Sequence, residues 1–223
     1  MEFKIFYDET EENKNILSKL LENKYIKEAV LTKKYNREVT LVNIDGKEYV
    51  VKREISKNFF GLNNNIKMMY KNIKDLNSKG FYNTYNIKVI IEKKLGLFKS
   101  EMIYITDYIK GEEPKTAKDY EEIMKTLLKL HKLKHYHGDC KPENFVKTYS
   151  GMVMIDSKFR RSFFSKLGLY KDILRLQRFT KEPLNLDKYF KDYKKSLMYY
   201  IAILLIYRRD IFRGNKKFWK EVI

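Results

Sequence analysis

Residues 136–145, which read YHGDCKPENF, constrain this chain more than any other stretch. They place the carboxylate of Asp139, the ammonium group of Lys141 and the carboxamide of Asn144 on one short segment. A carboxylate can orient or deprotonate a hydroxyl group, an ammonium group can hold a phosphoryl group, and a carboxamide oxygen can bind a metal ion. A second carboxylate, Asp156, follows the apolar run 152–155. The set indicates a site for chemistry on phosphate groups.

The spacing within this segment is that of the catalytic loop in the protein-kinase fold. His137, Asp139, Lys141 and Asn144 form the pattern His-x-Asp-x-Lys-x-x-Asn, and Asp156 stands where a metal-binding strand end is expected. His137 is interpreted as an internal strut of the loop rather than as the base. One such residue would mean little, but the spaced set is a strong indication of a kinase-like chain.

The clearest local pattern in the N-terminal half is a β-hairpin. The strand-like segments 39–44 and 48–52 flank Asp45-Gly46, a pair that tolerates positive φ. Lys52 follows two valines on the second strand, where the phosphate-contacting lysine of a kinase lies. It is alternatively one of many solvent-facing strand lysines in a lysine-rich chain.

Two parts of a kinase small lobe are missing from the sequence. No glycine-rich loop precedes Lys52, and the basic turn 33–37 occupies its place. The segment 56–80, which should carry an acidic partner for Lys52, contains Asp75 as its sole carboxylate, and Glu54 lies two residues beyond Lys52. The partner acid of Lys52 is therefore left unassigned.

The chain changes from strand-like to helical patterns near residue 110. We predict strands over 3–7 and 25–31, a helix over 11–22 capped by Thr10, and a strand pair over 86–93 and 101–109. Residues 110–114 break the pattern, and a strong amphipathic helix is predicted over 116–134, followed by a helical region over 184–219. The sequence thus predicts an α+β, two-lobed, protein-kinase-like fold, with an N-lobe over 1–109 and a C-lobe over 110–223 forming one domain.

Composition narrows the partners and the compartment. Lys and Arg number 47 against 29 Asp and Glu, giving a net charge of +18, which either suits an anionic partner or reflects genome composition. The single Cys140 allows no disulfide within the chain and is predicted to be structural, in a reducing compartment. No signal peptide is visible.

The apolar run 197–207 is too short to span a bilayer, so we predict a buried helix, with in-plane membrane contact as the alternative.

The residues quoted above resemble the lipopolysaccharide core heptose(II) kinase family. The resemblance lies in residues 43–52, 137–144, 155–156 and 170–174, and the His-Gly-Asp form is also similar to aminoglycoside and choline phosphotransferases. It implies ATP and Mg²⁺, with Asp139 and Lys141 catalytic and Asn144 and Asp156 binding the metal. It also implies that Lys52 and the backbone at Asp107 and Ile109 bind the nucleotide.

The acceptor implied by the resemblance is a heptose hydroxyl of the lipopolysaccharide inner core. This anionic glycolipid would place the protein in the cytoplasm, in peripheral contact with the inner membrane, and no nucleic-acid partner is expected. The alternatives are a compact atypical serine/threonine protein kinase, a small-molecule phosphotransferase and a non-catalytic pseudokinase. Asp172 follows Asp156 by only sixteen positions, which leaves little room for a regulatory activation segment.

Overall fold

The computed structural model describes residues 3–57, 65–96, 99–162, 165–180 and 184–214. The strands are β1 Phe3–Tyr7, β2 Ile26–Lys34, β3 Arg37–Ile44, β4 Lys47–Lys57, β5 Ile87–Gly96, β6 Lys99–Asp107, β7 His135–Tyr136, β8 Phe145–Thr148, β9 Gly151–Met154 and β10 Arg160–Arg161. The helices are α1 Glu11–Leu21, α2 Asn65–Ser78, α3 Ala117–Lys132, α4 Ser165–Gln177 and α5 Leu197–Phe212. The predicted α+β class, with strands dominating the N-terminal part and helices the C-terminal part, is confirmed.

The chain separates into two compact units. One consists of Met1–Lys74 and Tyr85–Lys110, and the other of Asp75–Thr84 and Gly111–Ile223, so that α2 has residues in both. The first unit holds the large sheet. The second holds α3, α4, α5 and two small two-stranded sheets, β7–β10 and the hairpin β8–β9.

The first unit is built on a six-stranded sheet in the order β1-β5-β6-β4-β3-β2, with every pair antiparallel. The predicted hairpin is present, because Asp45 and Gly46 have φ of 51° and 84° and connect β3 to β4 as a two-residue turn. α1 begins as predicted, with the Thr10 hydroxyl accepting a hydrogen bond from the Asn13 amide at 3.2 Å. Helix α1 contributes to the apolar core on one face of the sheet, which comprises Ile16, Val42, Ile44, Tyr49, Val89, Ile91 and Ile105.

Two of the predicted boundaries are wrong. Lys33 and Lys34 belong to β2 rather than to a five-residue basic turn, because they pair with Glu38 and Arg37 of β3 and leave a two-residue turn. The region 184–219 is predicted to be helical, but its α-helix α5 begins only at Leu197, and residues 193–195 before it form one 3-10 turn. The end of that predicted region, residues 215–219, lies outside the described residues.

The second unit is organised around α3. Its N-terminus has a capping box in which the Thr116 hydroxyl accepts from the Asp119 amide and the Asp119 carboxylate accepts from the Thr116 amide. Helix α3 contacts β7, β9 and α4, and α4 in turn packs against α5. Strands β7 and β8 stand at the two ends of the segment 136–145 that the sequence singled out, and α3 packs against β7 and against β9, the hairpin partner of β8.

Candidate catalytic site

The loop between β7 and β8 brings three of the predicted site residues together. The side-chain Nδ2 atom of Asn144 donates to the Asp139 backbone carbonyl oxygen at 2.7 Å, which closes the loop across a 3-10 turn over Pro142–Asn144. The Asn144 carbonyl oxygen accepts from the Ile155 amide at 2.8 Å. Since Asp156 is the next residue, its backbone is held beside that of Asn144.

Asn144 and Asp156 offer oxygen atoms suited to Mg²⁺. The Asp139 carbonyl oxygen can only accept a hydrogen bond, so its partner in the Asn144 side chain must be the Nδ2 atom. This assignment leaves the Asn144 Oδ1 atom for a cation. Asp156 has a φ of 53°, a left-handed conformation that is uncommon outside glycine and clusters at functional sites. No group of three or more His, Cys, Asp or Glu side chains forms a metal site among the described residues. Two protein oxygens fit a Mg²⁺ that is bound jointly with phosphate groups.

A buried carboxylate from α4 holds the loop backbone. Asp172, only 2% exposed, accepts from the His137 amide at 2.6 Å and from the Gly138 amide at 2.9 Å. Its Oδ2 atom also lies 3.1 Å from Nε2 of His131. Sequence reasoning missed this role. The available signal was a carboxylate within the apolar pattern of a helix, because a buried carboxylate requires several donors.

One helical turn later, Arg175 contacts the candidate catalytic carboxylate itself. Its Nη1 atom donates to Oδ1 of Asp139 at 2.8 Å and to the Gly138 carbonyl oxygen at 3.0 Å. The contact fixes one oxygen of Asp139, and both side chains are about one third exposed. No sequence pattern indicated Arg175, which lies thirty-six positions from Asp139.

Gly138 occupies the position before Asp139, where protein kinases carry an arginine. Its φ is 84°, a conformation that glycine adopts without the steric strain that a Cβ atom introduces. A Cβ atom here would also come within 3.3 Å of Cβ of Lys158. The backbone therefore favours glycine at this position, and the guanidinium group beside Asp139 is that of Arg175 on α4.

His137 is a buried strut, as predicted. Its ring is fully buried and stacks on Phe145 with centroids 5.0 Å apart. Burial lowers the pKa of His137, so the ring is neutral and Nδ1 can accept from the Asp139 amide at 3.3 Å. The His137 carbonyl oxygen accepts from the Ser157 hydroxyl and the Lys158 amide, at 3.0 and 2.9 Å. The strut thus ties the loop to the segment that follows Asp156.

Two other loop side chains differ in exposure. The ammonium group of Lys141 lies 3.5 Å from Oε1 of Glu143 and 5.7 Å from the ring centroid of Phe179, and the side chain is one third exposed. Such a long surface contact is weak, so the ammonium group can turn towards a phosphoryl group. Cys140 is fully buried, and burial raises the pKa of its thiol well above the ordinary value. It is a structural residue, as predicted.

In the first unit, Lys52 is buried and does not face solvent. It is 8% exposed and pairs across the sheet with Val39 and Tyr104. Its ammonium group lies 5.5 and 5.9 Å from the ring centroids of Tyr85 and Tyr104. The alternative of an ordinary surface lysine is therefore wrong. Burying a cation is unfavourable without compensation, and aromatic faces supply part of it.

The two acids considered as partners of Lys52 both have other cations nearby. Glu54 lies 3.3 Å from Nε of Arg37 on the neighbouring strand. Asp75 lies 2.7 Å from Nζ of Lys79 and 3.2 Å from Nη2 of Arg161.

The residues predicted to bind the adenine edge lie at and beyond the end of β6. The Asp107 backbone amide donates to the Asn86 backbone carbonyl oxygen at 3.2 Å. The Asp107 carboxylate accepts from the side-chain Nδ2 atom of Asn86 at 3.1 Å and lies 3.3 Å from the Lys88 ammonium group. Ile109 follows in a segment without regular structure. Since the Asp107 amide is already hydrogen-bonded, adenine recognition at this segment stays a prediction that depends on other backbone groups.

No protein-family model and no curated protein matches the chain. Similarity to solved structures is partial. A BubR1 kinase domain aligns with 59% of this chain and 46% of its own length, at 16% identity and a TM-score of 0.44. The kinase PK-1 of Cydia pomonella granulovirus aligns with 64% of this chain and 57% of its own length, at 20% identity and a TM-score of 0.44. The chain thus spans about half the length of each, and neither name states what this chain acts on.

Proposed function

We propose that this chain is a kinase-like phosphotransferase that transfers the γ-phosphoryl group of ATP to an alcohol hydroxyl group. The geometry of one loop carries the proposal. Asp139 is fixed through its carbonyl oxygen by Asn144 and through its carboxylate by Arg175, and Asp156 adjoins Asn144. Phosphoryl transfer depends on positioning and charge more than on covalent work by the protein, and this loop supplies both.

Each side chain has a defined part in the proposed reaction. The Oδ2 atom of Asp139 orients the acceptor hydroxyl and accepts its proton, while Arg175 holds Oδ1. Lys141 neutralises charge on the transferred group, and Lys52 neutralises charge on the nucleotide phosphates. Mg²⁺ held by Oδ1 of Asn144 and the carboxylate of Asp156 would neutralise the phosphate oxygens.

The acceptor we propose is a heptose of the lipopolysaccharide inner core, at the cytoplasmic face of the inner membrane. Support comes from the resemblance carried by residues 43–52 and 137–144 and from the net charge of +18, which suits an anionic glycolipid. The start of α4 at Ser165, nine residues after Asp156, leaves little chain for a regulatory activation segment. These features favour an unregulated sugar kinase over a regulated protein kinase.

The test is phosphate transfer from labelled Mg-ATP. Purified protein is offered heptose-containing lipid A–core glycolipid and, separately, a mixed protein extract. The variants are Asp139→Asn and, as a control with the same change of charge, Asp187→Asn, whose side chain is exposed in the same unit. We expect label on the glycolipid, about 10²–10⁴-fold less with Asp139→Asn, and no loss with Asp187→Asn.

Other results would change the proposal in defined ways. Label on protein alone would show that the acceptor is a protein rather than the glycolipid, and the proposed phosphoryl transfer would stand. Absence of transfer, together with absence of Mg²⁺-dependent ATP binding, would refute the reaction and leave a kinase-shaped binding module. Equal transfer by wild type and Asp139→Asn would refute the role of Asp139.

A further inference from the structure

Helix α5 is apolar on its outer side as well as on the side that packs inward. The inward side packs on α4, with the Tyr199 ring 5.5 Å from that of Tyr170 and the Tyr207 hydroxyl donating to the Leu174 carbonyl oxygen. Ala202 and Ile203 on this side are also buried. The prediction of a buried helix is therefore correct for one side only.

The outer α5 face consists of Leu197, Tyr200, Leu204, Leu205 and Phe212. Leu197 is 69% exposed, Leu204 57% and Phe212 89%. The spacing of these residues places them on one broad side of a helix, away from the buried Tyr199, Ala202 and Ile203. A helix at the surface of a soluble protein normally presents charged residues there, so an exposed face of this composition marks a contact site.

Cations surround this face. Lys194 and Lys195 are exposed just before α5, and Arg213 is exposed just after it. Arg208 is exposed four residues from both Leu204 and Phe212, so it lies within the face itself. A long arginine side chain can lie along an apolar surface and extend its guanidinium group to a phosphate at the edge.

We propose that the outer α5 face binds in the plane of an anionic phospholipid bilayer. Because α4 covers the inner side of α5, the helix exposes an apolar face flanked by cations, and such a surface matches an anionic bilayer. None of the described helices is long and apolar enough to cross a membrane. A second copy of the chain fits this face less well, because it would also carry +18 and would bring two Arg208 side chains into one apolar contact.

The test is sedimentation with phosphatidylglycerol and phosphatidylcholine vesicles. The face variant Leu197→Glu/Leu204→Glu is compared with Ile26→Glu/Val30→Glu on strand β2. The control residues are 69% and 56% exposed, so both variants remove similar exposed apolar groups and change the charge equally. We expect wild type to bind phosphatidylglycerol vesicles at least about tenfold more tightly than phosphatidylcholine vesicles. The face variant should lose about tenfold or more in vesicle partitioning, and the control less than about twofold.

Three outcomes would overturn the proposal. Wild type that does not bind anionic vesicles would exclude the contact, and equal loss in both variants would show that net charge alone drives binding. Concentration-dependent dimers that dissociate only in the face variant would assign the face to a second copy. Vesicle binding requires no phosphate transfer, so this inference and the proposed function can each fail separately.

Discussion

Replacing Asp172 by Asn should loosen the loop that carries Asp139. The Asp172 carboxylate is buried and accepts from two backbone amides of the loop and contacts His131. Asparagine has nearly the same shape, but the nitrogen that replaces one oxygen is itself a donor, so at least one buried donor loses its acceptor. A hydrogen bond to a charged group contributes about 1.5–3 kcal/mol, and leaving a buried donor unpaired costs about 1–3 kcal/mol.

We therefore expect Asp172→Asn to lower the free energy of unfolding by about 3 kcal/mol, near the low end for breaking a buried charged network. For a chain of this length, that corresponds to a fall in Tm of about 6–12 °C. Urea unfolding followed by circular dichroism measures the first quantity. Amide hydrogen exchange at His137 and Gly138 tests the location, and should accelerate by about 10²-fold if the loop opens more readily by about 3 kcal/mol.

Asp187→Asn is the matched control, since it makes the same chemical change at an exposed position and should alter stability by less than about 0.5 kcal/mol. If Asp172→Asn lost less than about 1 kcal/mol, and the His137 and Gly138 amides stayed as protected as in the control, Asp172 would not hold the loop. The assignment of the loop geometry to α4 would then be incorrect.

Two further predictions concern packing and pH. A Cβ atom at Gly168 would lie 2.7 Å from Cδ1 of Tyr136, so Gly168→Ala should destabilise by about 1–2 kcal/mol in urea unfolding. A Cβ atom at Gly96 would meet no atom within 4 Å, so Gly96→Ala should change the free energy of unfolding little. Equal losses of stability in the two variants would contradict the clash at Gly168. A hydrogen bond from Lys47 helps to lower the pKa of Glu12 to about 2 from its ordinary value of 4.5. The stability from this contact is present above about pH 4.5 and is lost as the pH falls towards 2. In urea unfolding at a series of pH values, Glu12→Gln should therefore show a smaller decline in stability over this range than wild type. An equal decline in both proteins would refute the contribution of Glu12.

Elements that depend on neighbouring residues were predictable from the sequence. The Thr10 cap and the Asp45-Gly46 turn, both predicted, each depend on residues within a few positions of one another. Such interactions are set by local geometry, and residue type and spacing therefore indicate them directly. The same reasoning explains why residue spacing alone was enough to single out residues 136–145 as the candidate catalytic loop.

Contacts between distant parts of the chain could be decided only by the tertiary structure. Asp172 and Arg175 meet the loop from 34 to 36 positions away, and no local pattern relates them to it. Lys52 has the same sequence neighbours as a surface lysine, and its burial depends on the strands and tyrosines packed around it. For α5, the sequence established an apolar helix, but which side is covered depends on where α4 packs. Apolar periodicity states how much surface must be buried, whereas only packing determines which neighbour covers it.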